Sequence, residues 1–265
     1  MKKSFICATI SVCIAGFECA HAEGTVGYWN MQDNVAGTVA KNGAAVKSSV
    51  NSPILDAKIL SDRNTKVEFI ADVPGKVIVA GKDAEVVNSD NKSSLKVTSK
   101  YGIKSALSIR GDNLLNLDAF TVEAFFKVIK MPNWSGLMMR KRVEEKYSWI
   151  VYNENNSGIL RLRVDSNPPD TKSRTGFNQS VRTDFTINDG KWHHIAITYD
   201  ALTNWFCIYG DYKLLAKMKI PLPAVYDDSP MIFLGGTHAG AAEEYVDEIR
   251  VSDKVLSIDE FLKVK

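Results

Sequence analysis

The stretch "FTVEAFFKV" constrains this chain more than any other, because its apolar side chains recur at every second residue. Phe120, Val122, Ala124, Phe126 and Val128 fall on one face, and Thr121, Glu123, Phe125 and Lys127 on the other. That alternation is the signature of a strand with one face in a core, and a helical repeat of 3.6 residues does not produce it. "ILRLRV" repeats the pattern, with Leu160, Leu162 and Val164 opposite Arg161 and Arg163. "WFCIYGDYKLLAKMKI" reads as two strands joined at Tyr209-Gly210-Asp211-Tyr212. "PMIFLGG" and "EEYVDEIRV" are two more. In "DGKWHHIAITYD", Trp192, His194, Ala196 and Thr198 share one face; His193, Ile195, Ile197 and Tyr199 share the other. Short strands separated by turn residues predict an all-β sandwich or barrel. The best helical signal is "SIDEFLKVK", where Ser257 and Glu260 form a capping box opening a short C-terminal helix.

The N-terminus carries a different signal. Lys2 and Lys3 precede the apolar "FICATISVCIAGF", and Ala20-His21-Ala22 is a small-x-small cleavage site. Residues 1–22 are therefore expected to be a signal peptide, and 23–265 one domain. The apolar run is too short for a membrane span, and no later segment approaches one. Neither Cys13 nor Cys19 follows the small residue of a lipoprotein cleavage site. Cleavage removes Cys7, Cys13 and Cys19 and leaves Cys207 alone, so neither an internal disulfide nor a disulfide-linked partner is expected. A secreted chain held by its core alone suits the periplasm or surface of a bacterium.

Charge excludes one class of partner. The sequence holds 33 Lys+Arg against 31 Asp+Glu, and no basic tract tracks phosphates, so nucleic acid is not expected. The densest charge run, "MMRKRVEEKY", mixes signs and reads as a solvated hairpin tip. "DSNPPDTKSRTGFNQS", "MPNWSG" and "YNENNSG" read as loops.

Four segments together resemble the laminin-G-like jelly rolls of the concanavalin A-like lectin/glucanase superfamily. They are "VGYWNMQDNVAG", "SALSIRGDNLLNLDAFTVEAFFKV", "INDGKWHHIAITYD" and "FLGGTHAGAAEEYVDEIRVSDKVLSIDEF", in that order. Two departures stand out: the usual Asp-Gly hairpin turn is Gly210-Asp211, and Lys41 to Lys100 is longer than the family minimum, leaving room for an added element. The resemblance implies a two-sheet antiparallel jelly-roll sandwich that binds carbohydrate or a protein surface. It also implies a structural calcium, for which Asp247 and the oxygen-rich region at Asp33 and Asn34 are the candidate ligands.

Enzymatic motifs are missing. Glycosidases of this fold alternate carboxylates along one strand to set nucleophile and acid about 5 Å apart. Here Glu244 precedes Asp247 by three residues, so the two face opposite ways, and Asp247 and Glu248 as neighbours should also diverge. No Gly-x-Ser-x-Gly, His-Glu-x-x-His or phosphate loop occurs. Cys207 reads as an inert strand thiol. The adjacent His193 and His194 face opposite sides and cannot share one zinc. One of them is expected to be held by a carboxylate of "VDEIR", Glu248 foremost.

Ligand-binding candidates are polar residues opposite the core and aromatics near loops: Glu123, Arg161, Arg163, Trp134, Trp149 and Tyr152. Trp29 and Trp192 are assigned to the core. The expected function is a secreted, non-catalytic binding domain for glycan or a protein surface. The alternatives are a cell-envelope assembly protein, favoured by the absence of an attached catalytic unit in this sequence, and a polysaccharide hydrolase or lyase whose site the motifs do not announce.

Overall fold

The computed structural model describes residues 24–81, 84–88, 91–103, 105–111, 113–141, 147–155, 157–165, 178–221, 229–235 and 240–264. The signal-peptide reading, the tip of "MMRKRVEEKY", most of "DSNPPDTKSRTGFNQS" and His238 lie outside the described residues.

In chain order the strands are β1 (Thr25–Trp29), β2 (Thr38–Val39), β3 (Ala45–Val46), β4 (Ala57–Ile59), β5 (Thr65–Ile70), β6 (Val77–Gly81), β7 (Ala84–Asn88), β8 (Ser94–Ser99), β9 (Ser105–Ile109) and β10 (Ala119–Lys130). They continue as β11 (Gly136–Lys141), β12 (Tyr147–Glu154), β13 (Ile159–Asp165), β14 (Asn178–Thr186), β15 (Trp192–Asp200), β16 (Trp205–Gly210), β17 (Lys213–Lys219), β18 (Met231–Gly235), β19 (Ala242–Ser252) and β20 (Lys263–Val264).

Two antiparallel sheets form a jelly-roll sandwich. The first runs β17-β16-β15-β10-β19-β8-β5-β2, with β1 also paired to β19; the second runs β14-β13-β12-β11-β18-β9-β4-β3. The predicted alternation sets the inner faces. Phe120, Val122, Ala124, Phe126 and Val128 of β10 meet Trp149, Val151, Leu160, Leu162 and Val164 of the second sheet in one core. Phe120 joins the layers, its ring 6.0 Å from Trp149 and 5.9 Å from Phe206. Such contacts between tilted and edge-on rings add to the burial of large apolar area.

The long segment before residue 101 supplies β3, β4, β5 and β8 to the two sheets and one element outside them. β6 and β7 form a hairpin that pairs with β20 as a small third sheet. Val77 from this sheet and Leu262, just before β20, bury against Tyr28 and Phe125 on the outer face of the first. The first sheet is thus covered on both sides over part of its width. This is the physical reason that Thr121, Glu123 and Phe125, opposite the core, are buried all the same.

The same cover explains the fate of the C-terminal helix. Glu260 accepts from the backbone N–H of Ser257 (2.8 Å), as the sequence pattern requires, and also from its hydroxyl (2.9 Å). Only a 3-10 turn forms, at Ile258–Glu260, and Phe261 is extended at φ −66°, ψ 155°. Continuing as a helix would lift Leu262 from Phe125 and β20 from β6, so burial and strand pairing prevail over local propensity.

Candidate functional site

The six residues singled out for ligand binding separate into three environments. Tyr152, Arg161 and Arg163 stand together on the outer face of the second sheet, because Tyr152 pairs with Arg161 and Ile150 with Arg163 across β12 and β13. Trp134, in the loop before β11, places its ring 5.7 Å from that of Tyr152. Arg161 and Arg182 both hold Glu154, at 2.7 and 2.8 Å, while Arg163 grips Asp165 and lies over the Tyr147 ring. Met139, Ile150, Tyr152 and Ile232 give this face an apolar floor.

Trp149 does not join them. It lies three residues from Tyr152 on the same strand, so the pleat turns it inward, where it is 1% exposed in the core. Its assignment as a ligand residue is corrected. Glu123 is corrected too: it is fully buried on the outer face of the first sheet. There it accepts hydrogen bonds from Arg250 Nε (2.7 Å), His194 Nε2 (2.7 Å) and the Leu262 N–H (2.9 Å). Burial opposes the Glu123 charge, but Arg250 and His194, with the Leu262 amide, hold its carboxyl below the usual range.

The histidine hypothesis is overturned by the same contacts. His194 takes its carboxylate from β10, not from "VDEIR". His193 lies between Asp211 (Nδ1, 2.8 Å) and Asp189 (Nε2, 2.9 Å). The hydrogen bond to Asp211 raises the His193 pKa against the opposing effect of burial, and Asp189 adds to the rise. Asp211 reaches this position from the β16–β17 turn, where Asp211 and Tyr212 have φ of 44° and 65°. Positive φ at both central residues is the turn geometry that matches strand twist, and it accounts for the Gly210-Asp211 departure in sequence.

Trp192, assigned to the core, instead lies half-buried at the edge of the first sheet's outer face. Its indole N–H donates to Asp72 at 2.9 Å, and Asp72 receives Lys127 at 2.5 Å. Its ring meets Tyr245 edge-on at 6.2 Å. Sequence reasoning missed this position because Asp72 comes from a segment 120 residues away.

β19 carries the remaining carboxylates. Its pairing with β10 shifts register between Glu123 and Phe125, and Glu248 has φ 50°. The resulting bulge corrects the expectation that Asp247 and Glu248 diverge. Asp247 is opposite the outward Phe125, and Glu248 accepts from the hydroxyl of the outward Tyr28. Both are fully buried. Burial, then the neighbouring Glu248 charge, lifts the Asp247 pKa well above the ordinary range, and burial pushes Glu248 up to about 8. Glu244 meets Ser135 of the loop before β11 at 3.2 Å, and burial pushes it to about 8.

These contacts bear on calcium. Both oxygens of Asp247 are engaged, by Asn91 Nδ2 (2.8 Å) and by the Glu248 N–H (2.9 Å), and Asp33 is exposed. Among the described residues no three His, Cys, Asp or Glu side chains gather as a metal site. The side chains at Asp247 therefore do not present the set of free oxygens that calcium takes. Cys207 is a free, half-buried thiol in β16. No helix among the described residues is long and apolar enough to cross a membrane.

Among curated proteins, none matches the chain by sequence. Solved structures share its fold. The binding domain of Paraclostridial Mosquitocidal Protein 1 aligns with a TM-score of 0.58 and 15% identity over 90% of this chain and 51% of that one. The binding domain of botulinum neurotoxin DC, in complex with rat synaptotagmin II, aligns at 0.55 and 10% over 90% and 50%. The endo-β-1,4-glucuronan lyase of the fungus Trichoderma reesei aligns at 0.54 and 14% over 89% and 98%. The chain spans about half the length of the toxin domains. At these identities the likeness is one of fold, which does not determine function. Residues 102–260, more than half of the sequence, match the family described as the Concanavalin A-like lectin/glucanases superfamily, and the chain belongs to it.

Proposed function

We propose that this chain is a secreted, non-catalytic bacterial domain that binds carbohydrate on the outer face of its second sheet. The observation that carries the reading is Trp134. This bulky side chain is 37% exposed, in a left-handed backbone conformation (φ 58°), with its ring over Tyr152. That conformation costs a non-glycine residue about 1–2 kcal/mol. A strained, exposed tryptophan against Tyr152, with Arg161 and Arg163 on the neighbouring strand beyond that ring, matches what a saccharide needs, flat apolar surface with directional donors nearby.

The non-catalytic part is supported by the carboxylates. Glu123, Glu244, Asp247 and Glu248 are fully buried and engaged by other side chains or backbone. A protein surface is the second reading, favoured by the complex of the botulinum neurotoxin DC domain with synaptotagmin. Secretion rests on the basic, apolar and small-residue pattern of residues 1–22.

A glycan array tests the proposal. The expected result is saturable binding that weakens about tenfold or more in Trp134→Ala, the loss of one central aromatic anchor, with the melting temperature kept. Arg163→Ala should weaken it as well. An array on which the folded protein binds nothing would remove carbohydrate as the ligand and leave the protein-surface reading.

A further inference from the structure

A second concave feature lies on the other side of the sandwich, at the outer edge of the first sheet. It is a cleft of 480 Å³ between the turn that opens β15 and the β16–β17 turn. Trp192 and Tyr212 supply aromatic surface, with Phe125 buried behind them, and Asp189, Asp211 and Lys191 supply polar groups.

The cleft is preorganised. Trp192 is pinned through its indole N–H by Asp72. Tyr212 stacks on His194 with centroids 4.8 Å apart and planes 12° from parallel. Asp211 is held by His193 and by the His194 N–H (3.0 Å), and Asp189 by His193 and the Lys191 N–H (2.9 Å). Groups already ordered lose little conformational entropy when a ligand arrives.

It holds no excess of positive charge. Asp189 and Asp211 flank His193, whose two ring nitrogens both face carboxylates, and Lys191 lies 3.6 Å from Asp189. An anionic ligand would meet two carboxylates, so charge gives it no advantage over a neutral one. Flat apolar rings beside fixed acceptors and an ammonium donor suit a molecule with an apolar ring face and a hydroxyl rim.

We propose that this cleft is a second ligand site, and that it takes a neutral pyranose saccharide, stacked on Trp192 and hydrogen-bonded by Asp189, Asp211 and Lys191. The inference does not rest on the Trp134 face, and the two fail independently.

The test is calorimetric titration of the full chain with neutral cello-, laminari- and mannohexaose, and with hexagalacturonate as the charged comparison. One or more neutral hexasaccharides should bind. Trp192→Ala should weaken that binding about tenfold or more, and by the same factor when both proteins also carry Trp134→Ala, which removes any contribution from the other face. Asp189→Ala and Lys191→Ala should each weaken it about threefold or more. Those side chains are 39% and 79% exposed, so the variants answer the question even where Trp192→Ala fails to fold. The proposal is overturned if no neutral hexasaccharide binds at millimolar concentration, if only hexagalacturonate binds, or if folded cleft variants bind like the parent.

Discussion

Replacing Glu123 by alanine should lower the stability of this domain by about 3–5 kcal/mol, the cost of removing one partner from a buried ion pair. Arg250 and Glu123 are both fully inaccessible, and Glu123 also receives His194 Nε2 and the Leu262 N–H. The alanine leaves the guanidinium, the imidazole and the amide without their acceptor and away from water. In a domain of this size each kcal/mol moves the melting temperature by about 2–4 °C, so the shift should be on the order of 10 °C. Methionine at both 123 and 250 should cost less than the sum of the two single changes, because the double variant strands no buried charge. Thermal melts of the parent, Glu123→Ala, the two single methionine variants and the double variant decide the matter: a Glu123→Ala melt within 2 °C of the parent contradicts the account.

Stability should also decline as the solution is made alkaline, and Glu244 should be a principal cause. Its carboxyl is buried with, among the described residues, only the Ser135 hydroxyl for a partner, and burial pushes its pKa up to about 8. The folded chain therefore keeps a proton there that the unfolded chain has released above about pH 4.5. A group raised in this way stabilises fully below its unfolded pKa, and that contribution is lost as pH rises through the folded pKa. Glu248 and Asp247 act in the same direction, as does His193 above its unfolded value of 6.5. Glu123, Asp189 and Asp211 act oppositely: their pKa values are depressed, so their contribution is present above the unfolded carboxylate pKa and lost as pH falls. The optimum should lie between about pH 4.5 and 6.5, with each raised group contributing up to about 1.4 kcal/mol per pH unit above it. Glu244→Gln should match the parent near pH 5 and exceed its stability at pH 8 by on the order of 4 kcal/mol. Denaturant melts across this range measure the difference. Parallel curves for parent and variant would falsify the assignment.

Several features of the site were readable before any fold was known. The odd spacing of Trp149 and Tyr152 puts them on opposite faces of β12, so of these two candidates only one could face outward; the fold decided that it is Tyr152. Arg161 and Arg163 alternate with Leu160, Leu162 and Val164, so their outward position follows from the pleat alone.

Other features had no local signal. Glu123 alternates with core residues just as Arg161 does, yet it is buried and ion-paired. The difference is made by residues 72–81 and 256–264, which fold over one sheet and not over Arg161. Asp247 and Glu248 share a face because β10 and β19 pair with a bulge, and that register depends on both strands.

By itself, then, the sequence determined which residues alternate, hence the strands, the two inner faces and the sandwich, because a period of two is a property of the backbone and needs no partner. Only the tertiary structure decided what lies over each outer face. Whether an outward residue meets water, a ligand or another layer depends on distant segments, such as the Leu262 amide, 139 residues away, that closes over Glu123.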